Sequence, residues 1–159
     1  MNQRASDADI GFMREAIMEA SRAEAEGEVP VGAVIVLDGK IIGRGHNQPI
    51  ASKDPTAHAE VVAIREAART LGEYRLPDAF LYVTLEPCVM CVGAAIQARV
   101  AGIRYGARDE KAGALGSVYD IGRDGILNHR IEAIGGILED KCASMLREFF
   151  RNRRSQGSG

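Results

Sequence analysis

Three observations predict a single α/β domain. Residues 80–84, 88–98 and 102–106 read as strand, helix and strand, a βαβ unit whose right-handed crossover joins two parallel neighbours. Two strand-like runs, 31–37 and 40–46, flank Asp38-Gly39, the strongest short hairpin signal. Helical periodicity marks both ends of the chain, through Ile10, Met13, Ile17 and Ala20 at one and Leu146, Phe149 and Phe150 at the other. A length of 159 residues suits one domain, 1–154, with 155–159 as a flexible tail.

In chain order, residues 8–26 form an amphipathic helix, with Ser6 or Asp7 as cap and Gly27 past its end. The hairpin's second strand delivers His46 and Asn47 to a loop, 48–54. Asp54 as cap and Pro55 just inside the start predict a helix over 56–71, stopped by Gly72, with His58 and Glu60 in or near its first turn. The crossover helix then begins at Cys88, so Cys88 and Cys91 sit at a helix amino terminus, where the dipole and unpaired N–H groups favour thiolate. Residues 107–125 are glycine-rich and irregular, with Asp109, Lys111 and Asp120 exposed enough to touch a ligand. A short strand over 131–134 and Gly135-Gly136 precede a last helix, 138–153. Its early Glu139 and Asp140 and late Arg151, Arg153 and Arg154 complement the dipole.

Composition narrows the function. With 46% apolar and 26% charged residues the chain has the make-up of an ordinary soluble protein. Its apolar runs fall far short of the ~20 residues a membrane span needs. The amino-terminal stretch lacks the apolar core of a signal peptide, so a cytoplasmic location is expected. Three cysteines make no disulfide framework, and in a reducing compartment Cys-x-x-Cys favours a metal or redox role. A net charge of −2 gives no global nucleic-acid signature, so any such contact needs a local patch, best sought in 147–154.

His58, Cys88 and Cys91 offer one imidazole and two thiolates, while Glu60 is left over. A catalytic zinc usually takes three protein ligands and keeps a fourth position for water, whereas a structural zinc is closed by four. The competing reading is a structural site completed by Cys142, His46 or His129, or simply buried thiols. Glu60 fits a general base that takes a proton from the attacking water and passes protons to the substrate. Glu86 is either a carboxylate bonded to backbone near the helix start or a second base. Asn47 at a strand end fits an Asx-turn, and Cys142 fits a small core hydrophobe.

His58-Ala59-Glu60 with Pro87-Cys88-Val89-Met90-Cys91 resembles the established signature of nucleobase zinc deaminases. Residues 54–60 and 81–91 also resemble the bacterial tRNA adenosine deaminase family of the cytidine/deoxycytidylate deaminase superfamily. The similarity runs from about Asp9 to about Arg154 and includes Gly32-Ala33-Val34, Gly45-His46-Asn47, 113–117 and Asn128-His129-Arg130. The resemblance implies a cytidine deaminase-like three-layer α/β/α fold with a five-stranded mixed sheet and one Zn2+ per chain. It implies hydrolytic conversion of adenosine to inosine in a tRNA anticodon stem-loop, by a homodimer. On this reading Asn47 contacts the target base, and Asp109, Lys111, Asn128, His129, Phe149 and Arg153 hold the RNA. Two alternatives stay open: a deaminase of free guanine, cytosine or cytidine, since 54–60 also resembles guanine deaminases, and a non-catalytic zinc-stabilised RNA-binding module.

Overall fold

A reciprocal capping box opens the chain. The Ser6 hydroxyl accepts the Asp9 N–H at 3.1 Å and the Asp9 carboxylate accepts the Ser6 N–H at 3.0 Å, starting helix α1 (Asp7–Ala25). The computed structural model describes residues 5–123, 125 and 127–157. Strands β1 (Gly32–Leu37) and β2 (Lys40–His46) pair through the expected hairpin, in which Asp38 and Gly39 both take positive φ, 50° and 76°. A short helix, α2 (Pro49–Ser52), follows, then α3 (Ala59–Leu71), β3 (Phe80–Leu85), α4 (Val89–Ala98), β4 (Gly102–Ala107), β5 (Glu132–Ile134) and α5 (Glu139–Gly157).

The strands form one mixed sheet in the order β2-β1-β3-β4-β5. The pairs β1/β2 and β1/β3 are antiparallel, while β3/β4 and β4/β5 are parallel, as the crossover requires. Alternation along the strands sends side chains to two cores. Ala33, Ile35, Leu81, Val83 and Ile103 pack with α3 and α4 on one face, whereas Val34, Val36 and Tyr82 pack with α1 and α5 on the other. The expected three-layer architecture follows from that division. At Gly45 an added Cβ would lie 2.4 Å from the Ala59 carbonyl, so this glycine lets the first turn of α3 rest directly on β2.

Three segments differ from the sequence reading by more than one residue. Helix α3 starts at Ala59 and not at 56, because the Asp54 carboxylate accepts the Thr56 N–H (2.9 Å) and hydroxyl (2.7 Å) in a tight turn and so caps that turn instead of the helix. The expected loop 48–54 contains α2, with Pro49 in its first turn and the buried Glu28 carboxylate accepting the Ala51 N–H at 2.8 Å. Helix α5 runs to Gly157, so 155–157 extend the helix where a flexible tail was expected. Nothing before Gly157 breaks it; the rest of that tail, 158–159, lies outside the described residues.

Candidate active site

His58 and Cys88 occupy equivalent places, the N-cap positions of α3 and α4. Both have extended backbone, φ −74° and ψ 152° for His58 and φ −79° and ψ 176° for Cys88, and neither spends its side chain on capping. A cap residue normally turns its side chain back to the helix N–H groups, and these two instead point theirs at each other. Asn47 takes over part of the cap of α3: its Oδ1, arriving from the end of β2, accepts the Ala59 N–H at 2.8 Å. One turn into α4, Cys91 is fully buried. Its Sγ lies 3.4 Å from His58 Nδ1, and the Cys88 Sγ lies 3.7 Å from the same nitrogen.

That donor set fits zinc. A tetrahedral ion with Zn–S about 2.3 Å and Zn–N about 2.1 Å would hold N and S roughly 3.6 Å apart, against the observed 3.4 and 3.7 Å. The three ligand atoms all lie within 4.8 Å of one another. A hydrogen bond from the Cys91 thiol, joined by His58 and the α4 N–H, pulls the Cys88 thiol down to about 3. Cys91, which holds the proton beside that thiolate, is pushed up, and His58 is raised by its bond to Cys88. The pull is thus towards thiolate at Cys88, and a cation bound by both sulfurs would need the Cys91 proton to leave.

Among the described residues no fourth side chain closes the set. Cys142 sits across the sheet in the α1/α5 core, His46 lies between Glu19 (3.4 Å) and Glu26 (3.1 Å), and His129 Nε2 donates to the Val100 carbonyl at 2.7 Å. Among the described residues the only His, Cys, Asp or Glu group suited to a metal is His58, Cys88 and Cys91.

Glu60, in the first turn of α3, is 4% exposed. Burial pushes its carboxyl up, against lowering by its own N–H, by the Cys91 thiol and by His58. A cavity of about 190 Å3 opens above His58, Glu60 and Cys88 and is walled by Asn47, Glu86 and Asp109. It is smaller than the ~300–1,000 Å3 that encloses a drug-sized ligand, so it admits a flat ring and leaves the rest of a ligand outside.

The expected substrate-facing residues fall into three places. Asn47 and Asp109 line the cavity, and Asp109 Oδ1 also accepts the N–H groups of Lys111 (3.0 Å) and Ala112 (3.1 Å). Lys111 lies in a separate groove of about 410 Å3 against α5, with Arg147, Phe150, Arg151 and Arg154. Phe149 and Arg153 face away from that groove, beside Glu24 and Gly27 of the α1 end, with the Arg153 guanidinium 5.2 Å from the Phe149 ring centroid. His129, bonded to Val100, stands beyond the carboxyl end of α4, one helix length (about 15 Å) from Cys88, and exposed Asn128 precedes it; neither lines the cavity. Arg147 and Phe150, which join Arg151 and Arg154 on one face of α5, lie within the 147–154 stretch where a local patch was sought.

Glu86 was underrated. It is 2% exposed and bonds to a distant loop, not to the helix start: Oε2 accepts the N–H groups of Leu115 (2.9 Å) and Ser117 (3.2 Å), and Oε1 accepts the Asp109 N–H (3.2 Å) and, at short range, the Ser117 hydroxyl. Burial pushes its carboxyl up, but the donors outweigh that and hold it below the ordinary range. No sequence periodicity announces such a contact.

A model of the cytidine and deoxycytidylate deaminase zinc-binding region matches residues 6–107, so fold and site together define a zinc-dependent deaminase of that class. The tRNA-specific adenosine deaminase of Bacillus subtilis (strain 168) is 46% identical over 145 residues, covering 91% of this chain and 90% of the relative. A structure solved in work on A-to-I editing by tRNA:A34 deaminases superimposes with a TM-score of 0.83 at 44% identity, covering 86% of this chain and 99% of that one. The guanine deaminase of Bacillus subtilis superimposes with a TM-score of 0.60 at 39% identity, covering 78% and 82%. The chain belongs to the tRNA-specific adenosine deaminase family.

Proposed function

We infer that the chain is a single zinc-dependent deaminase domain that hydrolyses adenosine to inosine at the wobble position of a tRNA anticodon. The observation that carries the reading is Glu60: a buried carboxylate left out of a three-ligand set, at the floor of a cavity open to a flat ring. His58, Cys88 and Cys91 would hold the zinc, which when bound acts as a Lewis acid and makes water a nucleophile near neutral pH. Glu60 accepts the proton that the attacking water gives up. As the water oxygen bonds to the amino-bearing carbon, Glu60 hands that proton to the ring nitrogen; it then carries the remaining hydroxyl proton to the amino group, so that the C–N bond breaks, ammonia leaves and the oxygen becomes the carbonyl of inosine. Burial suits Glu60 to this work, because a raised pKa brings the carboxyl nearer neutrality, where it can both take and give a proton.

Asn47 spends its oxygen on Ala59, so its amide hydrogens are the part offered to the base. Loop 109–112 stands between the cavity and the basic groove, with Asp109 on one side and Lys111 on the other. A strand whose target base enters the cavity would cross this loop and leave phosphates to Lys111, Arg147, Arg151 and Arg154, with Phe150, 42% exposed, as a stacking platform. That continuation favours RNA over a free base. So does the closer structural likeness to the A34-editing structure than to guanine deaminase. Exposed Val89 and Met90 on α4 support a homodimer, since the chain's own elements leave them uncovered. Ligand thiols that must stay reduced support a cytoplasmic location, and no helix among the described residues is long and apolar enough to cross a membrane.

The test offers zinc-loaded protein an anticodon stem-loop with wobble adenosine, free guanine, cytosine, cytidine and adenosine, and follows ammonia and inosine. Inosine in the stem-loop is expected; rapid turnover of a free base without it would reassign the enzyme to small molecules.

A further inference from the structure

We propose that Glu86 is a positioning residue for the reaction: its carboxylate is the post around which loop 109–117 folds, and it thereby fixes the Asp109 wall of the catalytic cavity against the metal-binding floor. The proposal rests on the catalytic reading of the cavity. Glu86 leaves β3 one residue before Pro87-Cys88, and its own N–H is tied to the Ala107 carbonyl at the end of β4 (2.8 Å). The carboxylate is thus held on the backbone frame that also delivers Cys88. From there it receives four donors from a loop 23 to 31 residues further along the chain.

Loop and carboxylate fit each other closely. A Cβ at Gly113 would stand 2.4 Å from both Glu86 Cδ and Oε2, so the loop wraps the carboxylate where only glycine has room. The Pro87 carbonyl accepts the Ala114 N–H at 2.8 Å, a second tie from the same corner. Four donors fill the roughly four acceptor sites of one carboxylate, so its oxygens are committed to the loop and not to a substrate. What it contributes is the place of Asp109, which lines the cavity and whose N–H it holds, while the Asp109 Oδ1 accepts the Lys111 and Ala112 N–H groups.

Glu86→Gln keeps the size but turns an NH2 group towards N–H and O–H donors, so part of the bond set becomes repulsive. With the stem-loop substrate we expect KM to rise about 10- to 100-fold and kcat to fall less than ~5-fold, the signature of lost binding geometry. Zinc stays at one per chain, and the amides of Asp109, Leu115 and Ser117 exchange faster with deuterium while those of α3 do not. Ser117→Ala, which removes only the hydroxyl, should move the same quantities in the same direction by about 2- to 5-fold, and it decides the matter if Glu86→Gln does not fold. Unchanged amide exchange, an unchanged KM, or a kcat loss beyond ~100-fold at constant KM would overturn the proposal, the last by making Glu86 a catalytic group. Parent protein that forms no inosine overturns the functional reading instead, and the exchange measurement still judges Glu86.

Discussion

The metal-binding floor and the rim that faces RNA are built on opposite plans. His58, Glu60, Cys88 and Cys91 stand at the starts of two helices, and Gly45 with the α3 alanines Ala59 and Ala63 lets α3 lie directly on β2. The rim comes from a loop hung on one carboxylate and from long basic side chains on an exposed helix face. Chemistry needs atoms fixed to a fraction of an ångström, whereas phosphate attraction acts over several ångströms and tolerates mobile side chains. The floor should therefore fail abruptly under substitution and the rim by degrees.

Cys91→Ala should break the floor outright. With a buried ligand gone, zinc content and inosine formation both fall below detection, measured by elemental analysis and stem-loop deamination. Chelation should do the same reversibly. Glu60→Ala leaves all three ligands in place, so zinc stays at one per chain while kcat drops about 10⁴-fold, the upper end for general acid–base catalysis because one carboxylate serves several transfers. A loss of only a few-fold would remove Glu60 from the mechanism.

At the rim the contrast lies within one helix. Arg147→Gln with Arg151→Gln should weaken stem-loop binding about 10-fold at moderate salt and lower the slope of log affinity against log salt by roughly 0.7 per lost phosphate contact. Arg153→Gln, on the face that meets the α1 end, should leave that slope unchanged. Equal effects from both faces would erase the proposed strand path.

Smaller still is an effect far from the site. The Tyr82 hydroxyl donates to Asp9 at 2.5 Å. Burial would raise the Asp9 carboxyl, but the bonds from Tyr82 and Ser6 hold it below its ordinary value. A depressed folded-state pKa contributes stability above the unfolded pKa of about 3.9, lost as pH falls through the folded value. Tyr82→Phe should cost under about 1.5 kcal/mol at pH 7, because Asp9 is partly exposed, and the gap to the parent should narrow below about pH 4 in urea unfolding.

The floor was legible in the sequence because its ligands sit at set spacings and the turn chemistry around them is local: Cys88 one residue past Pro87, Glu60 two past His58, Asp38-Gly39 in the hairpin. One hairpin and one crossover made the β1/β2 and β3/β4 pairs legible, whereas the β1/β3 and β4/β5 pairs that complete the order had no local signal. What local pattern could not give was anything decided by distant partners. Asp54 looked like a helix cap until Thr56 claimed it, and Glu86 looked like a helix-start carboxylate although its donors come from 109–117. On α5 the residues 149–154 form one basic aromatic run, and only the packed helix divides Phe150 and Arg151 from Phe149 and Arg153.

Asn47 and Asp109 face the same cavity, yet they differ in how freely they can change. The oxygen of Asn47 is the cap of the helix that presents His58, so a substitution there that altered base preference would also loosen a zinc ligand, at roughly 1 kcal/mol for the cap alone. Asp109 is held by its backbone N–H, and its Oδ1 caps a turn of its own loop through the Lys111 and Ala112 N–H groups, a job that Asn or Ser can also do and that touches no zinc ligand. New substrate preferences, whether reached by natural drift or by directed evolution, should therefore enter this scaffold through position 109 long before position 47, because only there is recognition separable from the integrity of the catalytic centre.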